Sequence, residues 1–215
     1  MDPFHERLAR VGLEAIGRYG FCLAGGYAVQ AHGFVERLSK DVDLFTAASA
    51  TDDFSAAVAE AVRAFQTDGL GVSVEREGPT FARILVDDPA TKASSAVELG
   101  VDWRAYPPVQ LAVGPVLHPD DAVANKLCAL FGRAAVRDYI DVHAILASGR
   151  YSGEDLIQLA TEHDPGFDTG VFAGALRAVR RLPGSAFVPY GMADAQIEVL
   201  QGRLLRWADE ITEGR

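Results

Sequence analysis

Apolar residues recur at helical steps over residues 3–19, where Phe4, Leu8, Val11, Ala15 and Tyr19 form a stripe, Pro3 suits a first turn and Gly20 ends the pattern. A short apolar run, Phe21 to Ala24, then meets Gly25-Gly26, which predicts strand, glycine turn and a short helix through Tyr27–His32. Val42 to Phe45 reads as a second strand. A helix from about Asp52 to Gln66 follows, with Asp52 or Asp53 as its cap and Phe54, Val58, Ala61, Val62 and Phe65 as its buried stripe. Residues 72–75, 81–86 and 96–101 are short β-like runs separated by Gly78-Pro79 and Asp87-Asp88-Pro89 turns. From Pro119 onward the pattern is helical, over about 120–131, 134–148, 153–163, 167–181 and 192–212, with breaks at Gly149, Asp164-Pro165-Gly166 and Pro183-Gly184. The fold class expected is α+β: a front of residues 1–115 with a small mixed sheet, and an all-helical half over 116–215.

Composition agrees with folded matter. A hydrophobic share of 49% in 215 residues supports a sizeable core and excludes a disordered chain. No apolar run approaches the roughly 18–20 residues of a membrane span, and the start lacks the marks of a signal peptide, so a cytoplasmic protein without a membrane partner is expected. Cys22 and Cys128 lack ligand-like spacing and read as two buried thiols. The formal charge of -10 speaks against a broad nucleic-acid surface.

One stretch changes that picture. Leu23-Ala24-Gly25-Gly26 is followed, after fourteen intervening residues, by Asp41-Val42-Asp43-Leu44-Phe45. On a strand, Asp41 and Asp43 project from one face while Val42 and Leu44 point to the other. Two anions side by side repel, and a divalent cation is the natural remedy. Oxygen ligands and a need to hold phosphates favour Mg²⁺, and paired carboxylates can bridge ions about 3.5–4 Å apart for phosphoryl chemistry. Gly25 and Gly26, without Cβ atoms, let backbone N–H groups approach a triphosphate closely.

Downstream, Lys126 is the one cation of an apolar helical stretch, so it reaches either solvent or a phosphate. Arg137 and Asp141 lie four apart on one helix face, and a structural Arg–Asp pair is the plain alternative. On the next strand candidate, Glu98 and Asp102 share a face, and both are open to selection as a third acid.

The block from Leu23 through Arg37-Leu38-Ser39-Lys40-Asp41-Val42-Asp43, with the later block Asn125-Lys126 to Arg133, Arg137-Asp138 and Asp141, resembles the nucleotidyltransferase superfamily that includes DNA polymerase β. Within it, the chain is similar to the AbiEii and MenT-like toxins of type IV toxin–antitoxin systems. The gap between glycines and Asp41 is about one residue longer than in close AbiEii-type sequences. The resemblance implies a polymerase-β-like front, with the helical half closing the cleft. Asp41, Asp43, Lys126 and Asp141 are then catalytic, Gly25, Gly26, Arg37, Ser39 and Lys40 bind nucleotide, and Asp41, Asp43 and Glu98 hold Mg²⁺. It also implies a nucleoside triphosphate donor with a pyrimidine base, the 3′ end of tRNA as acceptor, a cognate antitoxin, and Ser39 as a position where a phosphoryl group would block the site. The alternatives are a nucleotidyltransferase acting on a small molecule or a protein hydroxyl, a phosphoryl-transferring antitoxin-like kinase, and a non-catalytic nucleotide-binding or interaction module. Arg177, Arg180 and Arg181, at i, i+3 and i+4, are expected to form one cationic helix face that either meets an RNA backbone or is solvated.

Overall fold

The computed structural model describes residues 1–214. Contacts group them into two units, Met1–His32 with Leu38–Pro119, and Gly33–Arg37 with the chain from Asp120 onward. The five residues 33–37 therefore group with the helical unit, although sequence pattern alone puts them in the front segment.

In the first unit, helix α1 (Pro3–Ile16) starts at Asp2, whose side chain accepts from the Phe4 amide at 2.9 Å. It stops in a tight turn closed by Gly20 at φ 76°. Strand β1 (Cys22–Leu23), helix α2 (Gly25–Ala31), strand β2 (Asp41–Thr46) and helix α3 (Phe54–Thr67) follow. Strands β3 (Gly71–Glu77), β4 (Phe81–Asp87) and β5 (Ser94–Val101) form an antiparallel meander, and β6 (Val109–Leu111) and β7 (Gly114–Val116) form a hairpin. The seven strands lie in the order β3-β4-β5-β2-β1-β7-β6, with β2 parallel to β5 and antiparallel to β1.

The two faces of this sheet differ. Val42, Leu44, Ala82, Ile84, Val86, Val97 and Leu99 are fully buried, and each large aliphatic among them contributes about 1.5–3 kcal/mol. Helices α1 and α3 cover that face, packed so closely that a Cβ on Gly12 would come within 2.7 Å of Leu44 Cδ1. Alternate residues of β2, Asp41, Asp43 and Phe45, are only half-buried on the other face.

The second unit comprises α4 (Pro119–Gly132), α5 (Val136–Ala147), α6 (Gly153–His163), α7 (Thr169–Arg177) and α8 (Asp194–Glu213). Ser152 and Asp155 cap α6 reciprocally, with Asp155 N donating to Ser152 Oγ at 3.1 Å and Ser152 N to Asp155 Oδ2 at 2.8 Å. Aromatic side chains hold the bundle: Phe131, Phe167 and Phe172 stack in succession, and Phe172 meets Trp207 of α8 edge-on at 5.4 Å. Residues 33–37 join this unit through Phe34, which lies 6.0 Å from the Tyr151 ring and carries the Arg150 guanidinium at 4.0 Å.

The expected cationic helix face does not form. Helix α7 ends at Arg177, and Arg180 and Arg181 lie in a following 3₁₀ turn. Arg177 itself donates to the carbonyl of Ala208 and to Asp209, so it fastens α7 to α8.

Candidate active site

In the first unit the glycine pair and the carboxylate strand are built against each other. The Ala24 amide donates to the Asp43 carbonyl at 2.9 Å, fixing the start of α2 beside β2. Gly25 is the first residue of that helix, not part of a turn before it, and has φ 56°. A Cβ there would lie 1.7 Å from Asp43 Oδ2. Space and backbone conformation thus both demand glycine where the Asp43 carboxylate sits. Asp41 lies two residues earlier on the same half-open face and accepts a hydrogen bond from Ser39 Oγ at 3.1 Å. Ser39 is buried, whereas Lys40 is exposed and its carbonyl accepts from Ser95 Oγ at 3.4 Å.

Glu98 stands opposite Asp43 in the parallel β2–β5 pairing. Its carboxylate is engaged by Arg83, its antiparallel partner on β4, and Arg83 donates in turn to Glu75 Oε2 at 3.0 Å. Sequence reasoning missed Arg83, because nothing in the spacing of residues 83 and 98 marks them as neighbours. Asp102 follows the end of β5, where it accepts from the Trp103 amide. Among the described residues no three carboxylate, histidine or cysteine side chains converge as a ready-made metal cage. Asp41 and Asp43 still suit Mg²⁺, which binds through one or two carboxylates and completes its shell with waters and substrate phosphates.

The second unit gathers Arg37, Lys126 and Asp141. Asp141, wholly buried on α5, accepts from Arg37 Nε at 2.6 Å and Nη2 at 2.5 Å in a two-pronged pair. The same carboxylate takes Lys126 Nζ of α4 at 3.1 Å, and the lysine is only 5% exposed. Burial disfavours the Arg37 charge, but the bonds and charge of Asp141 outweigh it and hold the guanidinium above its ordinary pKa. One anion therefore serves two cations, and an ammonium with three donors has capacity for a further acceptor. Asp138, also wholly buried, pairs with Arg133 at 2.8–2.9 Å and accepts from the Ala135 amide, which makes it the anchor of the start of α5. The pairing partner of Asp138 is thus Arg133, five residues earlier.

Comparison with known proteins adds three findings. Residues 8–196 match the profile of the family described as nucleotidyl transferase AbiEii toxin, type IV toxin–antitoxin system. Among solved structures, JHP933 from Helicobacter pylori is similar at 18% identity over 98% of this chain and 91% of that one, with a TM-score of 0.57. MenT4, a nucleotidyltransferase toxin from Mycobacterium tuberculosis, is similar at 17% identity over 96% of this chain and 83% of that one, with a TM-score of 0.60. At such identities the likeness establishes the fold. Curated proteins gave no match.

Proposed function

Since the chain belongs to the AbiEii nucleotidyltransferase toxin family, we propose that it transfers a nucleotide, with a pyrimidine base, from a nucleoside triphosphate to the 3′ end of tRNA and so stops aminoacylation. The observation that carries this reading is the Gly25–Asp43 fit: a helix start with no room for a Cβ, placed over one of two carboxylates that share a half-open face. Asp41 and Asp43 would hold Mg²⁺, which when bound supplies positive charge for the triphosphate and acidifies the attacking hydroxyl. Lys126 would donate to phosphate oxygens as negative charge grows on them, with Asp141 orienting its ammonium through their 3.1 Å contact. Arg37 shares that carboxylate within the second unit. Ser39 fixes the rotamer of Asp41 through their 3.1 Å hydrogen bond. In the transfer, the acceptor oxygen forms a bond to the α-phosphorus, the bond from that phosphorus to the bridging β-phosphate oxygen breaks, pyrophosphate departs, and the hydroxyl proton passes to solvent water. The type IV family also implies an antitoxin as partner.

Incubation with nucleoside triphosphates labelled at the α-phosphate, Mg²⁺ and total RNA tests this. Label should appear on tRNA-sized RNA, from CTP or UTP ahead of the purines, and disappear with Asp41→Ala. Label on the protein or a small molecule, with none on RNA, moves the acceptor elsewhere. Undiminished labelling by Asp41→Ala would overturn the carboxylate assignment.

A further inference from the structure

The half-open face of the sheet carries a row of charge in which Arg83 has no role so far. Arg83 of β4, Glu98 of β5 and Asp43 of β2 stand directly opposite one another on three neighbouring strands, about 4.8 Å from strand to strand. The adjacent row, Ile84, Val97 and Val42, is fully buried on the other face, so the three charged side chains project from the half-open one. Two of them are held from opposite sides. Asp43 has its Oδ2 seated where a Cβ of Gly25 would lie, at the start of α2, which follows β1 on the flank of β2 away from β5. Glu98 has its Oε1 bonded to Arg83 Nη1 on the other flank, and Arg83 Nε also donates to Glu75 Oε2 at 3.0 Å, so carboxylates of two strands grip the guanidinium. Along the same face of β5, Glu98 is flanked by Ala96 and Gly100, and neither offers it a charge.

We infer that Arg83 takes the place of a second divalent cation: it holds Glu98 as its own counter-ion, and Asp41 and Asp43 bind one ion instead of sharing two with Glu98. The inference rests on the proposed metal-holding role of Asp41 and Asp43 and deepens it. One divalent ion and one guanidinium together balance the charge of the three carboxylates. A second divalent ion between Asp43 and Glu98 would meet the positive charge of Arg83, which no physiological pH removes. Arg83 acts on the site through Glu98 and through that charge, so it is a positioning residue.

Mn²⁺ titration of the full chain without nucleotide or RNA, followed by electron paramagnetic resonance, tests it without turnover. The native chain should show the spectrum of an isolated Mn²⁺, and Arg83→Lys, which keeps the charge, should do the same. Arg83→Met frees Glu98 and should bind Mn²⁺ at least about tenfold more tightly, since ligand charge count sets affinity at oxygen sites. It should also add the spin-coupled spectrum of two ions about 3.5–4 Å apart. Arg83→Met combined with Glu98→Gln removes the pair without changing net charge and should return to native binding. A coupled two-ion spectrum in the native chain overturns the inference, as does Arg83→Met that leaves both affinity and ion number unchanged. A double variant that binds at least about tenfold more weakly than the native chain also overturns it, because Glu98 would then be a ligand. The Arg83 and Glu98 side chains are 38% and 22% exposed, so these variants should fold; should Arg83→Met not fold, Arg83→Gln is read by the same criteria. Native binding that survives both Asp41→Ala and Asp43→Asn removes the metal role itself, an outcome told apart because both variants leave the Arg83–Glu98 pair in place.

Discussion

Gly25 and Asp43 define each other at the residue scale. A glycine in a left-handed conformation is common at turns, but here a carboxylate oxygen occupies the volume a Cβ would need. Gly25→Ala must therefore displace Asp43 or unwind the first turn of α2. We expect it to cut nucleotide transfer by about a hundredfold or more, the scale of a 1 Å misplacement of a reacting group, with the far-ultraviolet circular dichroism nearly unchanged. The glycine pair and the D-x-D spacing were both legible in the sequence, as was the shared face of Asp41 and Asp43. The contact between Gly25 and Asp43 was not, because eighteen residues separate them and only the pairing of β1 with β2 brings them together.

At the scale of elements, Asp141 shows how a short motif becomes a junction. The sequence offered Arg137 as its helical neighbour, four residues away; the structure gives it Arg37 from the 33–37 segment and Lys126 from α4. A carboxylate that satisfies two buried cations cannot be neutralised without leaving them facing an uncharged amide. Asp141→Asn should cost about 3–5 kcal/mol of stability, read from urea unfolding, and adding Lys126→Met should restore part of the loss. Most helices were placed by periodicity alone, α6 at the same bounds, because one apolar face against a polar one is a local signal. The β6–β7 hairpin was not foreseen: three-residue strands carry too little alternation to be told from loop. The Arg177–Arg181 stretch failed for a related reason, since a change from α to 3₁₀ winding rotates residues out of the expected face.

For the whole molecule, the charge of -10 proves a poor guide to local charge, because Arg37 and Lys126 are buried together on the single carboxylate of Asp141 rather than spread over a surface. The pH dependence of stability has an identifiable source in His143 of α5. Its Nδ1 is buried with no hydrogen-bond partner, and burial, aided by the Arg203 charge, pushes its pKa down to about 4 from an ordinary 6.5. As pH falls, the unfolded chain takes up this proton first, so stability present above about pH 6.5 is lost progressively toward pH 4. We expect a contribution of about 1–3 kcal/mol between pH 7 and 4, measured as the change in urea midpoint, and a flatter profile in His143→Gln.

The sequence by itself determined the α+β class, the helical second half, the two carboxylates on one strand face and the family resemblance. All of these rest on period, composition or short spacing, which neighbouring residues encode together. Tertiary structure alone decided that Gly25 seats Asp43, that Arg83 takes Glu98, that Asp141 joins Arg37 to Lys126, and that His5 meets Tyr27 in the core. Each of those depends on which distant segments pack together, and a side chain's partner across the sheet or bundle leaves no periodic trace in the chain that carries it.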